Sequence, residues 1–108
     1  MNSDTNKFEL QATAVKYYSK LDEAAFFGWL DKIECVTEYF GRGRILYIQV
    51  DKSRVDESSL IELLALFYRY GVEMSQIMDI RLPEFDEWLN DEKAFWYEGV
   101  FKRHLAGL

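Results

Sequence analysis

Apolar residues recur with helical spacing most clearly between Asp56 and Gly71. Leu60, Leu63, Leu64 and Phe67 fall at i, i+3, i+4 and i+7, one face of a helix. Ser59 and Glu62 stand in capping-box register, Asp56 and Ser58 are alternative N-caps, and Gly71 supplies a left-handed stop. Ile61, Ala65, Leu66, Tyr68 and Tyr70 widen the apolar surface around most of the cylinder. A helix of this kind is covered on more than one side or offers a face to a partner.

Upstream, Phe8, Leu10, Ala12 and Ala14 alternate with polar residues, and Val15 and Tyr17 then take over the apolar parity. This switch predicts a strand over Thr13–Tyr18 with a bulge before it, and a polar, frayed Met1–Lys7. Ser19 reads as the N-cap of a helix running to about Ile33, with Asp22 and Glu23 in its first turn and Phe26, Trp29, Leu30 and Ile33 on one face. Cys35–Phe40 and Arg44–Val50 form a β-hairpin joined by Gly41-Arg42-Gly43, with Leu46, Ile48 and Val50 as the core parity. Gln76–Ile80 reads as a short edge strand or a turn of helix. Pro83 opens a last helix carrying Phe85, Trp88, Leu89 and Trp96, with Asn90-Asp91 as a break point and Lys102, Arg103 and His104 at its end. The order predicts one α+β domain over residues 1–108. Its expected form is a ferredoxin-like βαββαβ antiparallel sheet with helices on one face plus a C-terminal helix.

Composition narrows the function. The net charge is −6, against nonspecific binding to nucleic acid or anionic membrane and in favour of a basic protein partner. No long apolar run or leader stands out, so the expected location is the cytoplasm and the chain is expected to span no membrane. A catalytic triad needs a histidine beside a nucleophile, and the single histidine, His104, lies four residues from the end. The single cysteine, Cys35, opens a strand and is expected to behave as a small hydrophobe. No cysteine cluster, calcium loop or phosphate-cradling glycine pattern is present, so no catalytic residue, metal ligand or cofactor is assigned. Tyr39, Phe40 and Tyr47 are able to stack bases, but the third strand puts Arg44 and Leu46 where a nucleic-acid-binding sheet of this type carries aromatics.

What remains is surface. Glu84, Asp86, Glu87, Asp91 and Glu92 are interleaved with Trp88, Trp96 and Tyr97, which is the chemistry of a binder for a basic protein surface. Phe95-Trp96-Tyr97 cannot all face one core, since adjacent helical residues point in different directions.

Over roughly Val15 to Phe101 the chain resembles the small acidic immunity proteins of bacterial contact-dependent growth inhibition systems. The stretches that carry the likeness are Tyr17-Tyr18-Ser19-Lys20-Leu21-Asp22-Glu23-Ala24-Ala25-Phe26-Phe27-Gly28-Trp29-Leu30 and Leu66-Phe67-Tyr68-Arg69-Tyr70-Gly71. The resemblance implies a cytoplasmic, non-enzymatic domain that binds and blocks the C-terminal toxin domain of its partner system. It carries over no functional residue. The alternative is a structural or regulatory interaction domain, with homodimerisation through an aromatic-rich surface as one form of it.

Overall fold

The computed structural model describes residues 6–102. Strand β1 (Lys7–Thr13) is followed by helix α1 (Lys20–Asp31), the hairpin β2 (Val36–Arg42) and β3 (Ile45–Asp51), and helix α2 (Glu57–Tyr70). Beyond α2 the chain condenses into short turns: 3₁₀ segments Met74–Asp79 and Pro83–Phe85, a one-turn helix α3 (Asp86–Leu89) and a π-type turn Glu98–Lys102. The sheet order is β1-β3-β2, with β3 antiparallel to both neighbours. β1 and β2 are therefore parallel to each other, and α1 makes the crossover between them.

α2 is the centre of the core. Leu60, Leu63, Leu64, Leu66 and Phe67 are fully buried, and they meet Phe26 and Leu30 of α1 and Leu10, Ile48 and Val50 of the sheet in one cluster. The expected core parity of β3 is thus the observed one. Asp56 is the N-cap of α2: its carboxylate accepts from the Ser59 N–H at 2.8 Å, so Ser59 is not the cap and instead lies buried within the first turn. Gly71 stops the helix with φ of +72°, and the Val72 N–H closes onto the Phe67 carbonyl at 2.9 Å. Ser19 caps α1 as its sequence context predicts, its hydroxyl accepting from the Asp22 N–H.

Four expectations are corrected. The first strand runs over Lys7–Thr13, not Thr13–Tyr18, because the Phe8, Leu10, Ala12 alternation already supplies the face that pairs with Val50, Ile48 and Leu46. The irregularity follows the strand instead of preceding it. Ala14 takes a left-handed φ of +54° and donates its N–H to the Arg44 carbonyl, which turns the chain away from the sheet. Lys7 is accordingly part of the strand rather than a frayed tail. In the hairpin, Arg42 pairs with Ile45, so the turn is Gly43-Arg44, with Gly43 at φ of +63°. The long C-terminal helix is replaced by the short pieces named above, broken at Asn90-Asp91 as the sequence suggests; Arg103 and His104 lie outside the described residues.

The fourth correction concerns the full ferredoxin-like sheet. Of the two readings of Gln76–Ile80 the helical turn is the observed one, Gln76–Asp79 lying in the 3₁₀ segment with Ile80 just after it. Among the described residues the sheet therefore has three strands and lacks the fourth. The free edge of β1 is nonetheless capped. The Gln76 side-chain amide accepts from the Gln11 N–H at 2.9 Å and donates to the Gln11 carbonyl at 2.8 Å, with a further bond to the Glu73 carbonyl. A side-chain amide thus makes at one position the two bonds a fourth strand would have made. Gln76→Glu removes the donor while keeping the size. It is expected to lower stability by about 1–3 kcal/mol in chemical denaturation, at roughly 1 kcal/mol per lost bond plus the cost of facing a carboxylate to a carbonyl. An unchanged midpoint would mean that water replaces the clasp at no cost.

Candidate functional site

The turns after α2 bring the acidic and aromatic residues of the C-terminal third against the end of that helix. Glu98–Lys102 packs on Met74–Asp79, and the approach is close at Gly99: a Cβ there would stand 2.7 Å from Met74 Sδ. Trp88 and Trp96 meet edge-to-face with centroids 5.6 Å apart, and Trp88 also contacts Phe85. Trp96 Nε1 donates to the Leu89 carbonyl at 2.8 Å, which ties the 91–97 turn back onto α3. The one polar atom of this ring is therefore already engaged, and both tryptophans are half-buried supports of the local packing.

Phe95 is the ring of the Phe95-Trp96-Tyr97 triplet that points outward. It is 45% exposed and lies 5.0 Å from Tyr68, which is 59% exposed near the end of α2. The pair borders an open cleft of about 450 Å³ whose charged lining residues are Glu92 and Glu98. Gly71 also lines it, so the negative end of the α2 dipole opens at the same place. Two exposed ring faces, two carboxylates and a helix C-terminus all favour one kind of guest, a cationic side chain.

The residues singled out from the sequence divide around this cleft. Glu92 lines it, while Glu84, Glu87 and Asp91 are exposed on the chain leading to it. Asp86 is committed to an ion pair with Arg81 at 2.9 Å. Tyr97 is half-buried, with its ring 5.1 Å from Phe101. Trp88 and Trp96 belong to the packing beneath. Tyr68, Phe95 and Glu98 were missed by sequence reasoning. The triplet of adjacent rings did signal that one must turn outward, but choosing among them requires a phase, and the 91–97 segment has no regular helix to supply it.

A second aromatic pair, with Phe40 exposed and Tyr47 half-buried, lies on the outer face of the sheet. Phe40 and Tyr47 stack at 5.3 Å with ring planes 23° apart, and the Arg42 guanidinium stands 6.0 Å from the Phe40 centroid. Tyr39 is on the opposite face, where its hydroxyl donates to Asp31 at 2.7 Å and its ring contacts Phe27. The three rings considered for base stacking therefore do not share a surface. Phe40 and Tyr47 stack on each other, beside Glu9 and Glu38 as well as Arg42.

Cys35 is fully buried, and burial pushes its thiol up to about 11, with the neighbouring Ser59 hydroxyl pulling the other way. A thiolate is the reactive form. Cys35 is therefore expected to resist an aromatic disulfide reagent at pH 8 while the chain is folded and to react fully in denaturant. Rapid native-state labelling would overturn that assignment. Asp22 serves structure as well: its carboxylate accepts from the Tyr18 N–H and the Tyr70 hydroxyl, each at 2.9 Å, and these bonds, the first foremost, hold it below the usual carboxylate range. Among the described residues no group of three or more His, Cys, Asp or Glu is placed to hold a metal ion. No described helix is long and apolar enough to cross a membrane.

Comparison with known proteins found no matching family model, no similar curated protein and no similar solved structure.

Proposed function

We propose that this chain is a protein-binding inhibitor, an immunity protein of the contact-dependent growth inhibition type, which neutralises a cognate toxin domain by binding it and has no enzymatic activity of its own. The observation that carries the reading is the Tyr68–Phe95 ring pair exposed beside Glu92 and Glu98. A cleft of this composition takes a lysine or arginine side chain from a basic protein surface, and the exposed Glu84, Glu87 and Asp91 extend the same sign of charge around it. The net charge of −6 supports the same choice of partner, since a toxin acting on nucleic acid presents a basic substrate site. In this reading the fold is a ferredoxin-like arrangement reduced to three strands, working in the cytoplasm where the incoming toxin would act.

The test is genetic and physical together. The C-terminal domain of any large exported protein encoded beside this chain is expressed from an inducible promoter with and without it. Restored growth, together with co-purification of the two proteins, is the expected result. Growth arrest that this chain fails to relieve, or relief without binding, would overturn the reading.

A further inference from the structure

We infer that the free edge of β2 is a self-complementary dimer interface, which joins two copies of this chain into one continuous antiparallel sheet. The two edges of the sheet are treated differently. β1 is closed by the Gln76 amide, whereas among the described residues β2 has no strand beyond it, and Glu38, Phe40, Gly41 and Arg42 are all exposed. An open edge is a template for a further strand. The question is which strand the edge fits, and its own sequence answers.

The two-residue turn makes Arg42 and Ile45 the closing hydrogen-bonded pair, so Arg42 and Phe40 direct their peptide groups to β3. Tyr39 and Gly41 consequently direct theirs outward. In an antiparallel pairing centred on Phe40, Tyr39 of each copy meets Gly41 of the other, and these outward N–H and C=O groups bond each other. The same register places Glu38 of each copy opposite Arg42 of the other, twice by symmetry, as a two-fold interface requires. Glu38, Phe40 and Arg42 share one face of the strand. The two Phe40 rings then meet at the axis, and the Phe40–Tyr47 stack of each copy extends into an aromatic row across the join.

Within one chain these charges lack opposite partners across the strand. The residue facing Glu38 is Gln49, whose amide donates to Glu9 at 2.8 Å, and the residue facing Arg42 is Ile45. Neighbouring registers are worse. Centring on Tyr39 sets Glu38 against Phe40 and brings the bulge at Thr37 into the ladder, and centring on Gly41 sets Arg42 against Phe40. That bulge also limits regular pairing to Glu38–Arg42, so the charge pairs at its two ends fix the register. The β2 edge shares no residue with the Tyr68–Phe95 cleft, so dimerisation stands or falls separately from toxin binding.

Sedimentation equilibrium of the full chain tests it with Glu38→Arg, Arg42→Glu and the double exchange. Wild-type protein is expected to associate reversibly to a dimer, more weakly at high salt. Each single variant sets like charges together twice and is expected to raise the dissociation constant by at least about tenfold, whereas the double exchange returns it to within about threefold of wild type. Far-UV circular dichroism, and melting measured at dilutions where wild type is monomeric, should be unchanged in all three, because both side chains are exposed in the single chain. At concentrations where wild type dimerises, the single variants should melt lower. A wild type that stays monomeric at millimolar concentration would overturn the inference. So would single variants that dimerise like wild type, or a double exchange that restores nothing. Dimers indifferent to these charges would place self-association on another surface, and binding of a foreign strand at β2 without self-association would replace the second copy with a different partner.

Discussion

Leu64→Ala and Phe67→Ala are each expected to lower the stability of the domain by about 2–5 kcal/mol, with the phenylalanine change at the upper end. Both side chains are fully buried on α2, which supplies five such residues to the single core. The loss combines the transfer of the removed atoms with a cavity that cannot collapse, because Phe26 and Leu30 close it from α1 and Ile48 and Val50 from the sheet. Domains of this size have total stabilities of about 5–15 kcal/mol, so either change removes a large fraction. Thermal and urea unfolding measure it directly. Equal melting temperatures for wild type and both variants would mean that α2 is peripheral. By contrast Tyr68→Ala, one position beyond Phe67, removes an exposed ring and is expected to leave melting nearly unchanged.

This contrast within one helix shows which features the sequence carries. Period and caps predicted the position of α2 and four of its buried residues, because local hydrogen bonds and a single apolar stripe decide them. Ser19 before α1 was legible for the same reason. The first strand was misplaced by a local ambiguity: two runs of opposite parity abut at Ala14, and only pairing with β3 selects the earlier one. The fourth strand failed for a different reason. Gln76 reaches Gln11 across 65 positions, and no pattern within Gln76–Ile80 announces that a side-chain amide will satisfy the edge. The hairpin turn was off by a residue or two because Gly41 and Gly43 both suit a turn, and only Gly43 adopts positive φ.

The candidate site was legible in chemistry more than in geometry. Acid-rich, ring-rich composition marked the 84–97 region, and the structure places Glu92 and Phe95 of that region at one cleft. Which ring faces out depends on the irregular turns from Asp91 to Tyr97, where neither a 3.6 nor a 2.0 period assigns direction. Tyr68 was read only as part of the apolar surface that widens α2, a helix whose apolar residues mostly go inward, and not as a site residue. Its partner Phe95 is 27 positions away, counting from 68 to 95.

Against a cognate toxin domain, Phe95→Ala and Tyr68→Ala are expected to raise the dissociation rate by about 30-fold or more, the equivalent of losing about 2 kcal/mol at a desolvated ring. Charge reversal nearby should act on a different step. Glu87→Lys with Asp91→Lys is expected to slow association at low salt and to reduce its salt sensitivity, since exposed charges steer encounter over about one Debye length, ~8 Å at physiological ionic strength. Glu87 is exposed, and melting should hold for Glu87→Lys alone. Asp91 Oδ1 accepts from the Lys93 N–H at 2.9 Å, so adding Asp91→Lys is expected to cost about 1 kcal/mol of stability. Trp88→Ala and Trp96→Ala serve as the internal contrast. Trp96 donates to the Leu89 carbonyl and meets Trp88 edge-to-face, so either truncation is expected to lower stability before it alters binding. Stopped-flow association and surface-based dissociation, paired with melting for every variant, separate the two classes. If the Phe95 and Tyr68 variants dissociate at the wild-type rate from a partner that binds, the cleft is not the contact. The same measurement would then move to Glu23 and Phe27 of α1, whose neighbour Asp22 is already engaged by Tyr18 and Tyr70.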